Sequence, residues 1–191
     1  MTTPPLPQWC DTAPDAAFTV PAECSRRADR FARRVRIRNG IEYAAGALVI
    51  VLFGAASVGA AIKGEGLIAL SLALIVGGTL VILRNLARRA GNVERLPEEP
   101  CLAHLRRQYA RQYAALRAVP VWYVGPLIPG CALLYASVAA GVAEVAGWRT
   151  ALSGIAGPAA ITFGIFAAIA LLNLLAARGL KRQLDALDAL A

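Results

Sequence analysis

Residues 38–62 read RNGIEYAAGALVIVLFGAASVGAAI, and the character of the chain changes within the first five of them. Upstream, residues 26–38 hold seven arginines; downstream of Glu42 no Asp, Glu, Lys or Arg occurs until Lys63. An α-helix rises about 1.5 Å per residue, so about 20 uncharged residues reach across the roughly 30 Å hydrocarbon core of a bilayer. The stretch reads as a basic surface segment leading into a membrane crossing. Glu42 stands at the threshold, one helical turn after Arg38 and able to pair with it.

Three more runs lack charge altogether, at residues 66–83, 118–143 and 150–177, each at least 18 residues long. A soluble four-helix bundle would place a polar residue every three or four positions, where one face of each helix meets water. These runs have no such stripe. Hydrophobic residues make up 58% of the chain and its mean hydropathy is +0.55, above the roughly 45–50% apolar content of soluble domains. The expected fold is all-α: an integral membrane four-helix bundle built from two transmembrane hairpins, with cytoplasmic amphipathic helices before the first and third crossings. The expected divisions are a disordered Pro-rich leader (1–21), a basic amphipathic cytoplasmic helix (22–40), hairpin 1 (41–84), a cytoplasmic linker with an amphipathic helix (85–120), hairpin 2 (121–177) and a cytoplasmic C-terminal helix (178–191).

Charge orients the bundle, because flanks rich in Lys and Arg stay in the cytoplasm during insertion. The first flank has seven, the central segment eight (Arg84, Arg88, Arg89, Arg95, Arg106, Arg107, Arg111, Arg117) and the tail three (Arg178, Lys181, Arg182). Only Lys63 and Arg149 remain, one in each short turn. Both termini and the central linker are therefore expected in the cytoplasm, and the two turns outside. No cleavable export signal is legible in residues 1–20, so the first crossing is expected to direct its own insertion. The net charge of +8 is accounted for by this topology and by anionic lipid headgroups rather than by nucleic acid. Cys10, Cys24, Cys101 and Cys131 lack a CxxC pair, and a disulfide framework is not expected in this compartment.

The chemistry-bearing residues are sparse. There is one histidine, His104, and Cys101 three positions before it does not complete a zinc site. No phosphate-loop, HExxH or dinucleotide motif occurs in a fitting context. Neither a catalytic residue nor a metal or cofactor is expected. Polar residues within the crossings are hydroxyls, with Asn173 the exception, and hydroxyls of this kind bond helix backbone. Small residues recur at four-residue spacing (Ala55 and Gly59, Ser137 and Gly141, Ala160 and Gly164), which suits close helix approach. Pro126 and Pro129 should distort the start of the third crossing and free carbonyls there, and Pro158 should do the same to Gly154 in the fourth. Tyr43 at the first threshold and Trp122 with Tyr123 at the second suit the aromatic belt at a membrane surface. Arg117 precedes the second as Arg38 does the first, so the halves read either as a parallel repeat or, equally, as two independent hairpins.

Two segments carry a resemblance: R-N-x-x-E-Y-x-A-G at Arg38, Asn39, Glu42, Tyr43, Ala45 and Gly46, and W-Y-x-x-P-x-x-P-G at Trp122, Tyr123, Pro126, Pro129 and Gly130. In this order, with a charged helix holding His104 between them, the chain resembles a group of small, uncharacterised proteobacterial inner-membrane proteins. The resemblance implies the membrane architecture and brings no activity with it.

The function expected is that of a non-enzymatic scaffold or regulatory protein whose basic segments engage anionic headgroups, a protein partner or a second copy of the chain. A transporter or ligand-binding bundle around the proline-broken third crossing is the alternative. A lipid-acting enzyme using His104, Glu42 and Tyr109 is a third reading. The candidate interface or pocket is Arg38, Glu42, Tyr43, Arg117, Trp122, Tyr123, Pro126 and Pro129, between the two thresholds on the cytoplasmic side.

Overall fold

The computed structural model describes residues 21–94 and 99–188, all helices and connecting turns. The leader expected over residues 1–21 falls, but for Pro21, outside the described residues. Four helices follow one another: α1 (Pro21–Ile62), α2 (Gly66–Arg89), α3 (Cys101–Arg117) and α4 (Ile128–Asp188). A π-helical turn (Pro120–Val124) and a 3-10 turn (Gly125–Leu127) lead into α4. Three helical stretches are long and apolar enough to cross a membrane: Ser25–Ile62, Gly66–Arg89 and Pro120–Asp188. Their apolar side chains face outward along much of their length, Val51, Leu52, Val58, Ile161, Ile165 and Leu172 among them. Such a surface suits lipid and not water.

α1 is continuous where two helices were expected, because nothing in RNGIEY breaks the backbone ladder: Gly40 weakens a helix without ending it. It stops at Gly64, whose φ of 81° only glycine adopts freely. Glu65 N–H donates to Ala60 O at 2.9 Å and Gly64 N–H to Ala61 O at 3.1 Å, the paired bonds of a Schellman cap. This three-residue turn returns the chain along α1 as α2. Ser57 Oγ then donates across to Ala69 O at 2.8 Å.

α4 has its own interruption at Gly147, with φ 79° and ψ 158°. Tyr135 and Thr162 lie on either side of it, hydrogen-bonded at 2.6 Å, and Tyr135 also donates to Pro158 O at 3.1 Å. In a straight helix residues 27 positions apart would be separated by about 40 Å. The chain therefore turns sharply at Gly147. No break occurs at 177/178, where a separate tail helix was expected; α4 runs on to Asp188.

The prolines explain the irregular turns. Pro126 has no N–H to offer Trp122 O four residues back, and Asn85 Nδ2 approaches that carbonyl instead at 3.4 Å. Gly78 of α2 packs against this bend so closely that any Cβ there would overlap Pro126 O. The principal core sits at this level, where Ile82, Leu86 and Ala90 of α2 and its end meet Ala115, Val119 and Trp122.

Trp122 is consequently a core residue and not a belt residue: it is 6% exposed, and its indole N–H donates to Ala115 O at 2.9 Å. The two thresholds differ too, the first being regular α-helix and the second a π and a 3-10 turn. Of the small-residue pairs, Gly59, Gly141 and Gly164 face open space in this chain, whereas Gly46, Gly78 and Gly130 stand where neighbouring segments approach closely.

Candidate functional site

The basic stretch of α1 does not stand alone in solvent. α3 rests against it through Phe31 and Tyr109, whose rings are 4.8 Å apart, and Ala28 packs on Leu105. Apolar spacing gives α3 an inward stripe of Leu102, Leu105, Tyr109, Tyr113 or Gln112, and Leu116, of which Leu105, Leu116 and the Gln112 alternative are buried. His104, Gln108 and Gln112 are buried with Leu105, Ala115 and Leu116, and Leu102 is 40% exposed. Gln112 points inward because there is a backbone carbonyl to meet, and Gln108 Nε2 lies 3.5 Å from Asn92 Oδ1. Gln112 Nε2 donates to Ala90 O at 3.0 Å, and Asn39 Nδ2 of α1 donates to the same oxygen at 2.9 Å. The end of α2 is thereby tied to α1 and α3, and Asn92 Nδ2 adds a bond to Ala32 O at 3.1 Å.

Among the described residues, three cavities that adjoin one another lie along α1. The first is a cleft of ≈ 480 Å³ walled on one side by Arg27, Arg30, Arg34 and Arg38 and on the other by Tyr109, Gln112 and Leu116 of α3 and Gly179, Leu180 and Gln183 of α4. The second, ≈ 220 Å³, shares Arg38 and Leu116 with the first and adds Glu42, Val119, Trp122, Tyr123, Ile169 and Asn173. The third, ≈ 250 Å³, shares Glu42 and Tyr123 with the second and is otherwise lined by residues such as Ala45, Gly46, Val49 and Phe53 of α1, Thr79 and Ile82 of α2, and Leu127 and Cys131.

Four of the residues expected between the thresholds therefore line one cavity: Arg38, Glu42, Trp122 and Tyr123. Arg38 Nε lies 3.5 Å from Glu42 Oε1, so the one-turn pair is present. The other four lie elsewhere. Tyr43 is 39% exposed on a different face of α1, Arg117 is exposed, Pro126 supports the bend through its carbonyl against Gly78, and Pro129 is exposed in the first turn of α4. Arg27, Arg30, Arg34, Gln112 and Asn173 line cavities without having been singled out. The arginines had a signal, since positions 27, 30, 34 and 38 share one helix face.

Among the described residues no group of three or more His, Cys, Asp or Glu gathers to hold a metal ion. His104 is turned toward Glu99, with Nδ1 3.2 Å from Oε2, and Arg107 reaches the same oxygen at 2.8 Å. His104, Glu42 and Tyr109 do not meet in any of the three cavities. In the second turn of α3 Arg106 pairs with Asp188, and this guanidinium holds the Asp188 carboxyl below its ordinary value of 3.8. No protein-family model, curated protein or solved structure matches the chain.

Proposed function

We propose that the chain is a protein of the bacterial inner membrane, crossing it four times as two hairpins, with both termini and the 85–120 segment in the cytoplasm. The turn at Gly147 supports four crossings, because it divides the long apolar stretch Pro120–Asp188 into two arms. The distribution of Lys and Arg supports the orientation. In this reading the protein catalyses no reaction. It acts as a scaffold or regulatory protein, related to the small proteobacterial membrane proteins whose two segments it shares, and engages anionic headgroups, a protein partner or a second copy through its basic face.

One observation carries this reading: the arginine-walled cleft between α1, α3 and the end of α4. Among the described residues no carboxylate pairs with Arg27, Arg30 or Arg34, although Arg30 donates within α1 to Arg26 O. Cations held without counter-charge at a membrane surface attract anions, at roughly 1 kcal/mol each near an anionic leaflet. The test is thermal stability of the purified chain in mixed micelles. Phosphatidylglycerol should raise its melting temperature relative to phosphatidylcholine, and added salt should diminish the difference. Equal stability in both lipids, together with a strict monomer that recruits no partner, contradicts the reading.

A second reading has an observation of its own. The ≈ 250 Å³ cavity lies directly beside the proline-distorted turn, where a transporter or ligand-binding bundle would keep its site. Liposome flux that disappears in Pro126→Ala or Trp122→Ala supports it, and liposomes no leakier than protein-free controls for every solute class tried count against it.

A further inference from the structure

We propose that the three cavities form one site for a single anionic phospholipid with a hydroxyl-bearing headgroup. Its phosphate sits among the α1 arginines and one acyl chain lies along Ala45, Val49 and Phe53. This deepens the headgroup reading above and rests on it.

The first reason is the register of α1. Arg27, Arg30, Arg34, Arg38, Glu42, Ala45, Val49 and Phe53 follow one another at intervals of three or four, so they form a single stripe down one face of an unbroken helix. That stripe is cationic as far as Arg38 and apolar from Ala45 onward, the order of a phospholipid read from head to tail. From Arg38 to Val49 the helix rises about 16 Å, close to the roughly 15 Å hydrocarbon depth of one leaflet.

The second reason is unfilled hydrogen bonding at the cleft. Gln112 is 2% exposed and lines the cleft, yet its Oε1 has no hydrogen-bond partner, although its Nε2 is satisfied by Ala90 O. Buried polar atoms of this kind are rare unless a ligand or water completes them. An acceptor beside four arginines calls for an anion that also carries a donor, which a glycerol headgroup has and a bare phosphate at neutral pH largely lacks. Arg38 Nε, where the cleft meets the second cavity, is likewise buried without a hydrogen bond, 3.5 Å from Glu42. It is placed to donate to an ester carbonyl or phosphate oxygen at the head-to-tail junction.

The third reason is volume. The cleft alone, ≈ 480 Å³, falls within the roughly 300–1,000 Å³ of small-ligand sites. The cavities below it, ≈ 220 and ≈ 250 Å³, are lined mainly by apolar groups, which favour a tail over a soluble anion.

Native mass spectrometry of the full chain, released from mixed micelles, tests this with three probes: phosphatidylglycerol, phosphatidylcholine and the deacylated headgroup glycerophosphoglycerol. The expected result is one phosphatidylglycerol retained per chain, in preference to the other two. Arg30→Gln with Arg34→Gln should weaken its binding by about 30-fold. Ala45→Phe, which narrows the tail chamber, should weaken the lipid by about tenfold while leaving glycerophosphoglycerol binding unchanged. Val49→Trp blocks the same chamber and serves if Ala45→Phe loses helicity by circular dichroism. Lipid binding untouched by the folded chamber variant overturns the proposal, as does headgroup binding as tight as the lipid's. In either case a general preference for anionic micelles would persist, so the failure of this site is distinguishable from failure of the surface reading.

Discussion

Ala90 O accepts two side-chain hydrogen bonds from different helices, from Asn39 on α1 and Gln112 on α3. Either donor alone leaves the oxygen paired, so Asn39→Ala or Gln112→Ala should each cost about 1 kcal/mol. The double variant should cost more than the sum, because the carbonyl is then buried without a partner. A double-mutant cycle read by thermal unfolding in detergent measures that excess. Glycines give a sharper contrast. Gly78→Val forces side-chain atoms into the Pro126 carbonyl and should destabilise by about 1–3 kcal/mol or more, whereas Gly59→Val meets open space and should leave the melting temperature nearly unchanged. Four-residue spacing marks Gly59 and passes over Gly78. Spacing along one helix says which residues are small, and it does not say which face the neighbouring helix occupies. Asn39 was visible as part of a motif, but its acceptor is a backbone atom 51 positions away, and hydropathy carries no trace of a carbonyl.

The elements were legible where composition alone decides them. The uncharged runs gave the apolar stretches, the KGE turn gave the end of α1, and Pro126 with Pro129 gave the distorted approach to α4. On α3 apolar spacing picks out Leu105 and Leu116 but leaves Gln112 only as an alternative to Tyr113, because an inward glutamine looks polar in any periodicity, although here it satisfies the end of α2. The join between the basic helix and the first crossing was drawn at residue 40 from the change of charge. Charge marks a change of surroundings, while the backbone ladder continues through it. The turn inside α4 depends on Gly147, whose φ and ψ fall in a region nearly exclusive to glycine. Gly147→Ala should therefore cost about 1–3 kcal/mol, visible as a lowered melting temperature, while Gly141→Ala should not. Arg106, in the second turn of α3, clasps Asp188 in the last described turn of α4. The Asp188 carboxyl is held below 3.8, so the stability this clasp contributes is present above that value and is lost as pH falls through the lowered one. Amide exchange in the last turns of α4 should accelerate on acidification below the ordinary carboxylate range, and Asp188→Asn should bring the same acceleration at neutral pH. The exposure of both side chains keeps the effect local and small.

At the scale of the whole molecule, the arginine distribution and the cavities belong to one design. The cationic end of α1, α3 and the tail of α4 collect around a cleft, and the apolar parts of α1, α2 and α4 extend away from it. Sequence reading located the region between the two thresholds and four of the residues that meet there. It missed the upper cleft because arginines at a membrane boundary look like topology signals, and only the docking of α3 turns them into a wall. All of this depends on how many times the chain crosses the bilayer and which end faces the cytoplasm. Single cysteines placed in a cysteine-free background and labelled with a membrane-impermeant maleimide measure both directly. Glu65→Cys and Trp148→Cys should label in intact cells, Trp148 being exposed beside the turn at Gly147, whereas Asn92→Cys and Asp185→Cys should label only after permeabilisation. Labelling of Trp148→Cys only after permeabilisation, or of Asn92→Cys in intact cells, would contradict the two-hairpin, cytoplasmic-cleft account.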